Sequence, residues 1–208
     1  MREDQEQILN DYKRIKDSLE SLSSSLSDNI KDTLKNCKNV DHINFRVKTE
    51  KSFSEKANSL DANHRIKYPN PFREMQDIIG GRVVVYYKSD LQQIIDELEK
   101  NYSRVEKKEI IPDDEKEFGY EGIHYIFLIP NHIYNPYIES HNVPYFFEFQ
   151  IKTLYQHAWA QSEHGLGYKP DVELPKNIKR KLAFLAAQSW GADEILSELV
   201  TNINYLKN

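Results

Sequence analysis

The segment from Val143 to Ile151, VPYFFEFQI, is the feature that most restricts what this chain can fold into. Aromatic and polar residues alternate along it, which is typical of a β-strand. Because side chains alternate between the two faces of a strand, Glu148 and Gln150 lie on one face and the aromatic residues on the other. A carboxylate inside so aromatic a strand is costly unless it is paired or binds a cation. An edge strand with Glu148 in solvent is the alternative interpretation.

Two other segments predict strands beside this one. Residues 77–87 and 123–130 are short and rich in β-branched and aromatic residues, which indicates buried strands. Helices are predicted between and around them, and the two kinds of element alternate irregularly along the chain. This order favours an α+β domain, with a mixed β-sheet flanked by helices.

Apolar residues at helical spacing predict a long helix over residues 5–36. Its apolar stripe is expected to pack within the chain, and the serine-rich stretch 21–27 predicts a break or bend. The other predicted helices begin at Ser52, follow Ser89 as an N-cap, cover residues 153–163, and cover residues 176–206 with a break around Gly191.

The length of 208 residues predicts one domain with a buried core. We expect a helical extension over residues 1–40, the core over 41–170 and C-terminal helices over 171–208. The charged N-terminus is unlike a signal peptide, and no apolar run reaches the roughly 20 residues that cross a bilayer. The single Cys37 excludes an intrachain disulfide framework. A cytoplasmic protein with no membrane partner is therefore expected.

Charge is distributed unevenly along the chain. The net charge of −5 argues against general nucleic-acid binding, whereas residues 31–73 hold ten Lys and Arg residues against five Asp and Glu residues. A basic segment in an acidic protein indicates a compact polyanion, such as the phosphate chain of a nucleotide. A solvated basic face would explain the same charge.

Within the basic segment, Arg46, Lys48, Ser52 and Lys56 form the pattern R-x-K-x₃-S-x₃-K. Ser52 and Glu55 fit a capping box, which predicts that a helix begins at Ser52. The free backbone N–H groups and the dipole of a helix N-terminus favour anions, and Ser52 adds a hydroxyl group. These residues are candidates for binding phosphate.

Asp77 is a second candidate acid, because it comes immediately before the strand that begins at Ile78. Together with Glu148 it would place two carboxylates at similar heights on neighbouring strands. Carboxylate oxygens are the hard ligands that Mg²⁺ prefers, and the remaining positions are left for water and phosphate. Taken alone, Asp77 also fits a turn or a cap.

Gly119 and Gly122 flank Tyr120 just before the strand at residues 123–130. This arrangement suits a loop that places an aromatic ring flat against a nucleotide base. A surface tyrosine in a glycine-containing turn is the alternative interpretation.

Five short motifs follow one another along the chain. They are carried by Arg46/Lys48/Ser52/Lys56, Asp77/Gly80/Arg82, Gly119/Tyr120/His124, Glu148/Gln150/Lys152/Thr153 and Trp159/Glu163/His164/Tyr168/Lys169. In this order and spacing they resemble the synthetase domain of the RelA/SpoT family over about residues 43–170. The resemblance implies a nucleotidyltransferase-like fold. It also implies transfer of the β,γ-pyrophosphate of ATP to the ribose 3′-hydroxyl of GDP or GTP, which makes (p)ppGpp.

The resemblance further implies roles on the donor side. Asp77 and Glu148 would hold Mg²⁺, and Glu148 would also take the proton of the 3′-hydroxyl. Arg46 and Arg82 would sandwich the adenine of ATP by cation–π stacking. The phosphates of ATP would be bound by Lys48, Ser52 and Lys56.

On the acceptor side, the resemblance implies that Tyr120 stacks on the acceptor base and that His124 supports the site. Gln150 and Lys152 would line it, and Lys116 would face the acceptor phosphates.

The acceptor side also departs from the family pattern, while the donor side matches it. Glu121 and Gly122 stand where arginine and serine are common, Phe118 stands where asparagine is usual, and Lys152 replaces an arginine. Lysine keeps the charge of arginine but loses its two-pronged hydrogen bonding. The resemblance therefore supports ATP as donor more firmly than guanosine as acceptor.

Three functions fit these observations. The first is a small synthetase-only alarmone enzyme, because the chain has no His-Asp dipeptide and so lacks the family's hydrolase signature. The second is a toxin-type relative with an antitoxin partner, which would modify an adenosine nucleotide or the 3′ end of tRNA. The third is an inactive nucleotide-binding module, which the Asp77 and Glu148 pair disfavours. The resemblance, together with apolar stripes at both ends of the chain, also implies a homo-oligomer.

Overall fold

The structure, a computed structural model, describes residues 3–112, 114, 117–119, 121–134, 143–166 and 174–207. Its strands are Val40–Val47 (β1), Ile79–Val85 (β2), Arg104–Ile110 (β3), Gly122–Leu128 (β4) and Phe146–Thr153 (β5). Within the described residues they form one mixed sheet in the order β1-β2-β5-β4-β3. β2 and β5 run parallel, and the other neighbouring pairs run antiparallel.

The helices lie around this sheet. In the part of the chain that the structure describes they are Glu3–Thr33 (α1), Glu50–Ala57 (α2), Pro71–Glu74 (α3), Leu91–Asn101 (α4), Leu154–Gly165 (α5) and Lys176–Lys207 (α6). The predicted α+β class, with a mixed sheet flanked by helices, is confirmed. None of the helices in the described ranges is both long and apolar enough to traverse a bilayer.

The two faces of the sheet differ in polarity. Phe147, Phe149 and Ile151 of β5 are fully buried on one face, where α1 and α4 cover the sheet. Glu148 and Gln150 point to the opposite face, as the alternation in the sequence predicts. Because β5 pairs with β2 on one side and β4 on the other, the edge-strand alternative for this segment is wrong.

Gly81 lies on the apolar face, where β1, β2 and β5 pack closely. A Cβ atom at this position would lie 2.6 Å from the Phe45 ring and 2.7 Å from the Phe149 ring. Both distances are shorter than van der Waals contact, so a side chain here would displace aromatic rings in the core.

Replacing Gly81 by alanine is expected to lower the free energy of unfolding by about 1–3 kcal/mol, because the core would be overpacked. Gly80→Ala is the matched control, since no atom lies within 4 Å of a Cβ placed there. We expect this control to change stability by less than about 0.5 kcal/mol. Urea denaturation of both variants measures the difference. Equal stability of the two variants would contradict the tight packing at Gly81.

α1 is continuous, so a break in the stretch 21–27, one of the two predicted irregularities, is wrong, and a bend there stays a prediction. Tyr12, Leu19, Leu22 and Leu26 are buried along its inner face. This stripe packs against β1 and α2 of the same chain, as predicted. Burial of the two leucines within the serine-rich stretch outweighs the modest helix propensity of serine.

Three predicted helix boundaries also differ from the structure. α2 begins at Glu50 because Thr49, and not Ser52, is its N-cap: Thr49 Oγ1 accepts a hydrogen bond from the Ser52 N–H at 3.2 Å. Ser89 does not cap α4, which follows directly on a short 3₁₀ turn. α6 passes through Gly191 without the predicted break, and packing against α5 stabilises the continuous helix.

β1 and β3 were not predicted as strands. β1 alternates apolar residues with His42, Asn44 and Arg46, so its polar half hides the strand pattern within a basic segment. β3, with the sequence RVEKKEI, is an edge strand and mostly exposed. Charged residues on an edge strand prevent it from pairing with other chains. Because such a strand is rich in charge, it lacks the apolar pattern by which strands are predicted.

Candidate active site

A cavity of about 230 Å³ lies between the polar face of the sheet and α5. Strand pairing sets its residues side by side, with Gly80 opposite both Arg46 and Glu148, and Arg82 opposite Gln150. The side chains that line the cavity include Asn44, Arg46, Arg82, Glu148, Gln150 and Lys152 from the sheet, and Ala160, Gln161 and His164 from α5. Because Gly80 has no side chain, the space between Arg46 and Glu148 stays open.

Asp77 is the centre of an ion-pair cluster beside this cavity. Lys48 Nζ lies 2.7 Å and Lys56 Nζ lies 2.8 Å from Asp77 Oδ2. Burial alone raises the pKa of Asp77, but hydrogen bonds and the charges of the two lysines outweigh it and lower that pKa below the ordinary value. Asp77 is therefore an ionised carboxylate at neutral pH.

The second oxygen of Asp77 is in a different environment. Among the described residues, Asp77 Oδ1 is buried and has no hydrogen-bond partner. Burying an ionised oxygen in this way costs free energy unless a ligand or a cation binds to it.

Glu148 is held by a neighbouring strand. His124 Nδ1 of β4 lies 3.0 Å from Glu148 Oε1. Burial raises the pKa of Glu148, but hydrogen bonds from His124 and Gln150 outweigh it, and the net pKa lies below the ordinary value. The negative charge of Asp77 opposes this shift, which indicates that the two carboxylates are close enough to interact. Both are ionised at neutral pH.

Lys152 lies deep in the cavity, with only 5% of its surface exposed. Burial lowers its pKa to about 8, and the nearby positive charges of Arg82 and Arg46 act in the same direction. Burial and the charge of Arg46 also lower the pKa of Arg82. The structure thus places Lys152 in the same cavity as the two arginines that the resemblance assigns to the donor side.

Most of the predicted site residues come together in two adjoining groups. Lys48, Lys56 and Asp77 form the ion-pair cluster, and Ser52 lies in the first turn of α2, with its Oγ 3.0 Å from Thr49 Oγ1. The cavity holds Arg46, Arg82, Glu148, Gln150 and Lys152, with His124 bonded to Glu148. The predicted Lys116 and Tyr120, and the motif residues Tyr168 and Lys169, lie outside the described residues.

Tyr12 supports the site in a way that the sequence analysis missed. Its hydroxyl donates a hydrogen bond to the backbone carbonyl of Lys48, and its ring stacks on Phe53 of α2 with 3.9 Å between centroids. The spacing in α1 indicates that Tyr12 is buried. Nothing in the sequence pairs its hydroxyl with a residue 36 positions away.

A family model described as "Region found in RelA / SpoT proteins" matches residues 45–173, which is more than half of the chain. GTP pyrophosphokinase YjbM of Bacillus subtilis (strain 168) is 30% identical over 163 residues, which cover 77% of this chain and 72% of that protein.

Solved structures have the same fold. The small alarmone synthetase 1 from Bacillus subtilis superposes with a TM-score of 0.75 at 24% identity, covering 94% of this chain and 99% of that chain. A second structure of that synthetase, bound to its product pppGpp, has a TM-score of 0.67 at 27% identity and covers 90% of this chain and 93% of its own.

Proposed function

Because the chain belongs to the RelA/SpoT family, we propose that it is a pyrophosphokinase that moves the β,γ-pyrophosphate of ATP to the 3′-hydroxyl of GDP or GTP. The observation that carries this proposal is the adjacency of ionised Glu148 to the Asp77 ion-pair cluster and the Arg46 and Arg82 pair. This arrangement supplies one proton acceptor and several cations, which suits a reaction between two anionic nucleotides.

The donor ATP is bound by the first two motifs. The guanidinium groups of Arg46 and Arg82 hold the adenine by cation–π stacking. Lys48 and Lys56 bind the phosphates together with Ser52 in the first turn of α2, because the helix N-terminus and the two ammonium groups attract anions.

Asp77 and Glu148 would hold Mg²⁺. Their fit to the ion rests on Asp77 Oδ1, which is buried without a hydrogen-bond partner among the described residues, and on the ionised state of both carboxylates. Within the described ranges no group of three or more His, Cys, Asp and Glu residues could enclose a metal. Mg²⁺ usually takes only one or two carboxylates and fills its other positions with water and phosphate oxygens. When bound, the ion would neutralise charge on the phosphates.

Glu148 acts as general base in the transfer. It takes the proton of the acceptor 3′-hydroxyl while that oxygen forms a bond to the β-phosphorus of ATP. The bond from the β-phosphorus to the oxygen that bridges it to the α-phosphate breaks, and AMP leaves. The hydrogen bond from His124 orients the Glu148 carboxylate for this task.

The acceptor is a guanosine nucleotide, bound by Lys116, Tyr120, His124, Gln150 and Lys152. The support for guanosine is that the curated relative YjbM is named a GTP pyrophosphokinase and that a solved synthetase of the same fold, 27% identical, binds pppGpp. The open cavity between Arg46 and Glu148 leaves space for donor and acceptor to meet.

Incubation with γ-³²P-labelled ATP and separate pools of GDP, GTP, ADP, ATP and tRNA tests this function. Label is expected in the GDP and GTP pools, and AMP should form in equal amount. Label in the tRNA pool alone, or in an adenosine nucleotide alone, would overturn the guanosine assignment. Omitting Mg²⁺ or adding EDTA is expected to stop transfer in every pool.

A homo-oligomer is also part of this proposal. The apolar stripe of α1 is buried within its own chain, whereas α6 exposes large apolar side chains that include Phe184, Leu199 and Leu206. Contact through α6 would remove these from water. Light scattering at micromolar concentration is expected to give a multiple of the 24.6 kDa chain mass. A monomer mass would refute the oligomer.

A further inference from the structure

Two aromatic rings join α6 to the segment that precedes β4. The ring centroids of Phe118 and Trp190 lie 5.7 Å apart at an interplanar angle of 59°. This geometry lies within the range of favourable aromatic pairs. Phe118 stands where the family pattern usually has asparagine, so this departure from the pattern has a structural partner in α6.

The part of α6 that carries Trp190 is fixed to the catalytic sheet. Asp193 is 1% exposed and accepts a hydrogen bond of 2.6 Å from Thr153, the last residue of β5. Glu194 forms an ion pair with Lys88, which follows β2, and the Lys88 ammonium lies 5.8 Å from the Trp190 ring centroid. These contacts fix the position of Trp190 relative to β5, which carries Glu148, and β2, which carries Arg82.

The segment that contains Phe118 leads directly to the catalytic carboxylate. Gly122 begins β4 four residues after Phe118, and His124 of the same strand bonds to Glu148. A fixed position for Phe118 therefore limits the positions that the start of β4 can take. This end of the strand is on the side from which the acceptor would approach Glu148.

We propose that Trp190 is a positioning residue, whose contact with Phe118 fixes the chain just before β4 and thereby sets the affinity for the acceptor nucleotide. The inference rests on the proposed function, in which His124 of β4 helps to bind the acceptor. Phe118 is 40% exposed and Trp190 is 43% exposed. Both rings are thus partly exposed, and neither belongs to the buried hydrophobic core.

The donor side should be insensitive to this contact, since Arg46, Lys48 and Lys56 lie on or next to β1 and on α2. A positioning role thus predicts a rise in the Michaelis constant of the acceptor without a change for ATP. A loss of general packing would raise both constants together.

Steady-state kinetics of the full chain tests the inference. In Trp190→Ala we expect the KM for GDP and GTP to rise about three- to tenfold, with the KM for ATP and the kcat at saturating acceptor unchanged. Trp190→Phe keeps a ring at this position and should restore most of the acceptor affinity. Phe118→Asn should reproduce the effect, and the double variant should add nothing to it.

Val105→Ala is the control, because Val105 is an apolar residue of similar exposure, 48%, on the edge strand β3 and outside α6. It should leave both Michaelis constants unchanged. An unchanged acceptor KM in Trp190→Ala, or an equal rise in the ATP KM, would overturn the positioning role while leaving the proposed function intact. Failure of the unmodified chain to transfer pyrophosphate to any nucleotide would instead overturn the proposed function, and this inference with it.

Discussion

Replacing Glu148 by glutamine is expected to lower kcat for pyrophosphate transfer by about 10²- to 10⁴-fold, the usual contribution of a general base. Glutamine has nearly the same shape and can still accept a hydrogen bond from His124, but it cannot take the proton of the 3′-hydroxyl. Glutamine also carries no charge to hold Mg²⁺, so the rate is measured at saturating Mg²⁺. The loss should then appear in kcat, since the lysines and arginines that bind the two nucleotides remain in place.

Glu109→Gln is the control for the loss of one negative charge, because Glu109 is an exposed carboxylate on the edge strand β3. Its kcat should match that of the unmodified enzyme. Transfer is followed as AMP release at saturating ATP and acceptor, and thermal unfolding verifies that both variants are folded. If Glu148→Gln kept its kcat within about threefold of the unmodified enzyme, Glu148 would not be the general base.

The catalytic face of β5 could be predicted from the sequence because it depends on local geometry. A strand must alternate its side chains, so Glu148 and Gln150 had to share a face opposite Phe147 and Phe149. That the strand is central and not at an edge depends on its partners, β2 and β4, which the alternation of a single segment cannot identify.

The members of the Asp77 cluster were predicted individually, whereas their contacts were not. Lys48 and Asp77 are 29 residues apart, and only the antiparallel pairing of β1 with β2 brings the two chain segments together. That pairing was missed because β1 alternates polar and apolar residues within a basic segment. The hydrogen bond from Tyr12 to Lys48 could not be predicted either, because it joins α1 to the residue that follows β1, and β1 itself was not predicted.

The start of α2 was predicted wrongly because two residues compete as its N-cap. Thr49 and Ser52 are both good N-cap residues, and the glutamate at position 55 completes a capping box only with Ser52. In the structure the helix begins two residues earlier, at Glu50, and the N–H of Ser52 donates to the Thr49 hydroxyl. The phosphate-binding prediction for Ser52 is unaffected by the shift, because the residue stays in the first turn of α2.

Replacing Asp77 by asparagine is expected to lower kcat by about 10²- to 10³-fold, the effect of losing one preorganised electrostatic contact to the reacting phosphates. Asparagine can still accept hydrogen bonds from Lys48 and Lys56, but it carries no charge to hold Mg²⁺. The two ammonium groups would then face the phosphates of ATP without a competing carboxylate, so the affinity for ATP should be retained or increased.

The expected pattern for Asp77→Asn is therefore a lower kcat, an unchanged or lower KM for ATP, and a higher Mg²⁺ concentration for half-maximal rate. Titration calorimetry with a non-hydrolysable ATP analogue, with and without Mg²⁺, measures the affinity independently of turnover. Asp96→Asn is the control, because Asp96 is an exposed carboxylate on α4 and should leave all three quantities unchanged. A fall in kcat with an unaltered Mg²⁺ requirement would mean that Asp77 acts through the lysines alone and does not hold the metal.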